Sequence, residues 1–366
     1  MCISDMKAGG ANDFKELLEQ ALSDINAVCN TIENCDASPS KAKEILASIK
    51  NTMSDRHIVE KNFNDLLDTY RADILPDVVD GWNGLSPTER ASFSKMNNFF
   101  CGLHFLVALA DISAETLRQW ESLHSEDVSA GESGTIRLIR TACKAIQKQC
   151  SEQAGCHVMF HAYVRTQGVS LFPIAKFKGN GFNIVFYNAG GVFFLRHHLL
   201  CYLEYVCHTR NKLLEAVHKD LKHPLYLIDC RALGIVSKCI TASLWRILES
   251  PLPMSKLGKE YQRMYRCFLK WSGDASTLLT EGLGSIDEDD VYRELMNPTS
   301  DESQDLLLEL LQMICSSFVT VSDRLLGDHL EGGIHSEVSS QELDSDTGCV
   351  PKTNARSERD FAILDR

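Results

Sequence analysis

Apolar residues first fall into order at Phe14. Phe14, Leu17, Leu18, Ala21, Leu22, Ile25 and Val28 recur at three- and four-residue steps, which predicts an amphipathic helix. The polar cluster Thr31 to Ser40, with Asp36, Ser38 and Pro39, marks its end. A second segment, Lys41 to Met53, delivers the chain to Asp55. A third helical pattern runs through Phe63, Leu66, Leu67, Tyr70, Ile74 and Leu75 and is expected to stop at Pro76. Ser86, Pro87 and Glu89 read as a helix start, with proline at the first helical position and glutamate at the third. Met96 to Phe100 is a short apolar run, expected to be a strand. The helix that follows from Cys101 reaches Trp120 and Leu123.

Beyond a polar Gly/Ser stretch from Ser125 to Gly134, Ile136 to Cys150 is amphipathic again. Residues 169–195 change character. Val169 to Pro173, Phe182 to Tyr187 and Gly191 to Leu195 are aromatic or β-branched, and predict short strands or buried loops. Gly179 to Gly181 and the pair Gly190 and Gly191 read as turns. Helical periodicity resumes near Leu195 and continues, with breaks at Pro224 and Pro251, to about Leu330. The acidic cluster Asp287 to Asp290 reads as a solvated helix start or loop. Residues 331–357, rich in Gly, Ser, Asp and Glu, read as a flexible linker. The expected fold class is mainly α with a small α/β part.

Composition narrows the function. The chain has 366 residues, 44% of them hydrophobic and 24% charged, which is globular. Its net charge of -13 argues against strong autonomous DNA binding, because phosphate neutralisation needs a basic surface. The fourteen cysteines form no C-x-x-C pair and no signal peptide pattern opens the chain. Apolar stretches such as Ile184 to Leu203 are broken by Asn188, Arg196, His197 and His198, so no membrane span is expected. A reducing cytoplasm or nucleus, and not secretion, fits this cysteine usage. No internal repeat, Walker motif, G-x-G-x-x-G or H-E-x-x-H occurs.

The chemistry-bearing residues are few. Cys101 and His104, three apart, share one face of a helix that a strand feeds, and α/β folds gather chemistry at the C-terminal ends of strands. Ser54, Asp55 and Arg56 stand upstream. Ser357, Glu358, Arg359, Asp360 and Phe361 stand near the C-terminus. In this order and spacing they resemble the second half of a DDE-type transposase core, the ribonuclease H-like fold of hAT-like enzymes. The resemblance implies that Asp55 is the second catalytic Asp, Cys101 and His104 the family's Cys/Asp-x-x-His signature, and Glu358 the closing acid. It implies Mg²⁺ or Mn²⁺ held by Asp55 and Glu358, since two-metal phosphodiester chemistry uses carboxylates from distant parts of a chain. Residues 1–134 would be a partial core, 135–330 a mostly helical insertion, 331–357 the linker and 358–366 the start of the closing helix.

The family's first Asp, its Arg-Trp pair and a preceding zinc-finger module have no counterpart. The expectation is therefore a chain truncated at both ends, catalytically inactive, with weak DNA binding and a nuclear or cytoplasmic location. Read without the resemblance, Asp55 caps the following helix, Cys101 and His104 are semi-buried residues, and Glu358 is solvated. A zinc site joining Cys101 and His104 to Cys156 and His157, or to Cys207 and His208, lacks tight ligand pairs and is not expected. A helical interaction protein, with a protein partner or a second copy on its helices and no chemistry, is the competing function. A hydrolase built on Cys101 and His104 has no local signature for a base or oxyanion site.

Overall fold

The computed structural model describes residues 9–33, 40–124, 131–148, 155–177, 183–298, 300–336, 347, 348 and 350–354. The chain divides into two compact units, residues 1–101 with 340–366 and residues 102–339. The two units part at Cys101, where the expected core would run on to residue 134. The reason lies in the helix that follows: Leu103, Phe105, Leu106, Leu109, Leu117 and Trp120 are all buried, and that apolar face packs within the second unit.

Unit 1 begins with α1 (Ala11–Glu33) and α2 (Ser40–Ser48), followed by β1 (Asn51–Ser54), α3 (Ile58–Val78), α4 (Pro87–Ser94) and β2 (Asn97–Phe100). β1 and β2 pair in parallel, Asn51 opposite Asn97 through Ser54 opposite Phe100. Side chains reinforce this register. Asn97 Nδ2 donates to Asn51 Oδ1 at 3.0 Å, and the Thr52 hydroxyl bonds Asn98 Oδ1. Leu22, Leu46, Leu67 and Ile74 form a core beneath, ringed by Leu18, Phe63, Tyr70 and Met96.

α3 outruns its expected stop at Pro76. The proline sits in the last turn, and Val79 N closes the helix on Leu75 O at 2.9 Å. α4 starts as expected: Ser86 and Glu89 form a reciprocal capping box with Pro87 at the first helical position. Arg71 of α3 then ties three elements together. It is 2% exposed, and its guanidinium donates to Ala47 O (3.1 Å), Ser94 O (2.9 Å) and Phe93 O (2.8 Å). Those carbonyls end α2 and α4, where helices leave acceptors unsatisfied. Arg71→Met is expected to destabilise unit 1 by about 3 kcal/mol, since charge-assisted bonds to buried acceptors are lost together. Urea unfolding read through amide signals of α2 and α4 checks this; an unchanged midpoint would refute the staple.

Unit 2 is built of helices, with no strand among its described residues. Its elements are α5 (Gly102–His124), α6 (Gly134–Ile146), α7 (His157–Thr166), α8 (Ile184–Cys201), α9 (Lys212–Leu221), α10 (Pro224–Val236), α11 (Ala242–Glu249), α12 (Met254–Gly273), α13 (Leu278–Glu281), α14 (Asp290–Met296) and α15 (Asp301–Leu326). The strands expected over 169–195 are absent among the described residues. Residues 169–177 are irregular and α8 is a helix. α8 is apolar on every side, so period-2 and period-3.6 patterns cannot be told apart in it. Gly190 and Gly191, expected in a turn, lie inside α8 for a packing reason. A Cβ on Gly191 would stand 2.0 Å from Pro173 O, and one on Gly190 would stand 3.4 Å from the Gly234 Cα of α10.

α15 packs against α5, α10 and α12, and with the turn that follows it (Asp301–His329) it is long and apolar enough to cross a membrane. The most apolar window of that span is 44% buried inside the protein, as core helices also are. Asp289 caps α14, in line with the helix start expected at the acidic cluster. The linker expected over 331–357 is anchored at both ends. His335 is buried in unit 2, its N–H on Asp328 O at 2.7 Å, and Thr347 and Lys352 are buried in unit 1. A composition poor in large apolar residues concealed these contacts.

A carboxyl pair is buried where α5, α6 and α10 meet. Glu121 of α5 accepts from Ser133 Oγ (2.7 Å), Gly134 N (2.7 Å) and Thr135 N (2.9 Å), covering the open N–H groups of α6. Asp229 of α10 accepts from Trp120 Nε1 (3.0 Å) and Thr135 Oγ1 (2.9 Å). Burial, and then the charge of Glu121, raise the Asp229 carboxyl well above the ordinary range, so the folded state holds a proton the unfolded state releases. This contribution is fully present below the unfolded value near 3.8 and is lost as pH rises towards the folded one. Asp229→Asn removes the titration. Its stability relative to the parent is expected to grow from pH 4 to pH 8 in urea titrations; a pH-independent difference would contradict a raised Asp229 carboxyl.

Candidate functional site

Two parallel strands put their C-terminal ends side by side, and the sequence-derived site residues of unit 1 gather there. Asp55 follows β1 and Cys101 follows β2. Cys101 N donates to Ser54 O at 2.9 Å, extending the ladder by one rung. The backbone turns sharply after Asp55. Arg56 has φ of 60°, the one positive value for a non-glycine among the described residues. The turn is held by Arg56 N on Ser54 Oγ (3.2 Å) and by the guanidinium, which reaches Asn98 O (3.4 Å) and lies over the Phe100 ring.

Asp55 is not the cap of α3. His57 is the cap residue, and Asp55 Oδ1 accepts from His57 N at 2.7 Å, an Asx-turn that sets the helix entry. Glu60, at the third helical position, reaches back to accept from Asp55 N at 2.9 Å. Its carboxyl is raised by burial, then by a side-chain hydrogen bond to Asp55 and the charge of Asp55. Two carboxyls thus crowd the end of β1. Glu60 was missed in the sequence, although the spacing from His57 to Glu60 is that of a capping box and signals a back-reaching glutamate.

The Cys101 thiol is fully buried and bonded on two sides. Sγ–H donates to Asn354 Oδ1 at 3.0 Å and Sγ accepts from Asn354 N at 3.3 Å. This anchors residues 350–354 to the end of β2, four residues short of Glu358. Glu358 itself, with the rest of the Ser357 to Phe361 motif, lies outside the described residues. No sequence signal marked Asn354. His104 is half-buried in the first turn of α5 and belongs to unit 2. Of the alternative zinc ligands, His157 Nδ1 bonds Ile146 O at 2.7 Å and Cys207 Sγ bonds Thr209 O at 3.3 Å. Among the described residues no three His, Cys, Asp or Glu side chains converge as a metal cage.

No family model, curated protein or solved structure matches this chain. The site therefore rests on its own geometry, in which the Glu60 carboxyl is raised beside Asp55. Two carboxyls in contact titrate as a couple. Asp55→Asn is expected to lower the Glu60 titration midpoint towards the ordinary glutamate value, followed through the side-chain carboxyl carbon by NMR. An unmoved Glu60 would show that the two groups do not share a proton.

Proposed function

We propose that this chain is a transposase-like protein related to DNA strand-cleaving and strand-transfer enzymes. In this reading unit 1 is a partial ribonuclease H-like core of the DDE type and unit 2 is its helical insertion. One observation carries the reading: adjacent parallel strands present Asp55 and Cys101 side by side at their C-terminal ends, with the chain ahead of Glu358 tied to Cys101. That is where a DDE core collects its acids. The residues suit a divalent cation, because Glu60 is pushed up beside Asp55 and a cation relieves such like-charge crowding. Asp55 and Glu358 would hold Mg²⁺ or Mn²⁺, which would supply charge stabilisation to a phosphodiester.

Catalysis in this form is not part of the proposal. Two-metal chemistry needs a further bridging acid beside Asp55 and Glu358, and the described elements ahead of β1 are the helices α1 and α2. The chain is therefore expected neither to cleave nor to join DNA, and to bind it weakly in a salt-sensitive way. A nuclear location follows from this reading. Titrating Mn²⁺ into isotope-labelled protein tests the site: paramagnetic broadening should reach the amides of Asp55 and Glu358 together. Broadening at Asp55 alone defeats the shared site, and broadening at neither favours a helical interaction protein without chemistry. Incubation with supercoiled DNA and Mn²⁺ should leave it intact; nicking abolished by Asp55→Ala would overturn the inactivity.

A further inference from the structure

The chain is acidic overall, yet α12 gathers positive charge into one line. Lys256, Lys259, Arg263, Arg266 and Lys270 follow at steps of three and four, and all five are exposed. At about 100° per residue they fall within an arc of about 80°, and no other residue of α12 shares it. Leu257, Tyr261, Met264, Phe268 and Trp271 are buried on the opposite side. At 1.5 Å per residue the line is about 21 Å long, the reach of about six phosphates of one strand. Glu260 holds Arg263 at 2.9 Å and Glu281 holds Lys270 at 2.7 Å. Lys256, Lys259 and Arg266 form no ion pair among the described residues.

The line opens into two clefts that share a wall. Arg263 turns inward to donate to Leu283 O at 2.5 Å, and with Arg246 it lines a cleft of about 340 Å³ shared with Ser250, Ser285 and Glu260, the carboxylate that holds Arg263. Arg246 forms the boundary with a second, apolar cleft of about 490 Å³, walled by Trp245, Tyr187 and Ile184. A π-helical turn, Ser237–Thr241, builds this junction. Within it Cys239 O accepts from Leu283 N at 2.7 Å, and α11, which follows directly, carries Trp245 and Arg246 to the clefts. Asp289, whose charge bears on Tyr187, is tied to Lys238 at 2.6 Å.

We infer that this face of unit 2 binds single-stranded nucleic acid, with phosphates along α12 and a base received between Trp245 and Tyr187. A positive track beside an aromatic cleft is the arrangement such strands use, because every base has a π-face and every linkage a charge. A duplex keeps its bases stacked inside and an acidic peptide offers no planar ring, so neither has a use for the aromatic cleft. The inference does not rest on the reading of unit 1.

Fluorescence anisotropy of the full chain with labelled oligo-dT at low salt tests it, beside a duplex of equal length and poly-glutamate. Oligo-dT should bind more tightly than either competitor and quench tryptophan emission. The combined Lys256→Glu, Lys259→Glu and Arg266→Glu variant, altered where no ion pair is lost, should bind at least tenfold more weakly. Its salt slope should shrink by about 2, three charges at roughly 0.7 each. Trp245→Ala should weaken oligo-dT by about fivefold or more and leave the duplex unaffected. Trp245→Phe, which keeps a ring, should bind as the parent does while losing the quench. Equal binding of duplex or poly-glutamate would overturn the inference, as would charge reversal without effect or no binding at low salt. Circular dichroism of each variant confirms that the fold survives.

Discussion

Parallel strands cannot be joined by a tight turn, so β1 and β2 need a crossover long enough to bring the chain back to the same end. α3 and α4 supply it, and this requirement organises unit 1. The crossover must leave β1 sharply, hence the left-handed Arg56 and the Asx-turn of Asp55. It must return without unsatisfied carbonyls at the end of α4, hence Arg71 on Phe93 and Ser94, the same guanidinium also taking Ala47 O of α2. The site is a by-product of the same geometry. Once both strands run the same way, the residues after each of them share one edge.

Unit 2 answers a different problem, polar groups that must be buried where helices converge. The open N–H groups of α6 are met by Glu121, not by a cap residue alone, and Asp229 stands against it. Arg231 performs the complementary task at the other terminus, donating to Leu295 O and Asn297 O where α14 ends. In both cases a helix end is satisfied from a neighbouring helix. Such contacts couple the helices more specifically than apolar packing, which tolerates sliding. Gly190 and Gly234 add the remaining constraint, since a Cβ on Gly234 would stand 2.8 Å from the Gly190 Cα.

What the sequence revealed followed from local physics. The capping box of Ser86 and Glu89, the periodicity of α1 and α3, and the strand ahead of Cys101 are all encoded within a few residues. The junction of strand and helix placed Cys101 correctly at a strand end. Other features were not legible because their causes are distant. Asn354 meets Cys101 across 253 residues, and Arg71 finds its carbonyls 22 to 24 residues away. α8 escaped because uniform apolarity erases period, and its glycines, which punctuate a loop, serve instead as a close helix contact. The packing of α5 was hidden for a related reason: in sequence it reads as a continuation of β2, while its apolar face meets α15 and α10.

Net charge was the least transferable clue. A value of -13 describes the field far from the protein, where it slows approach of any polyanion. At physiological salt, however, charges separated by more than about 8 Å scarcely feel one another. The five basic side chains of α12 lie one helical turn apart, within that distance of their neighbours, and two of them are held by Glu260 and Glu281. A strand lying along α12 therefore meets the local charge first. Acidity overall and a basic track locally are compatible, and together they favour contact through that track over diffuse adhesion elsewhere. The same screening makes the contact reversible as salt rises, because each phosphate neutralised releases counterions that must be recaptured at higher concentration.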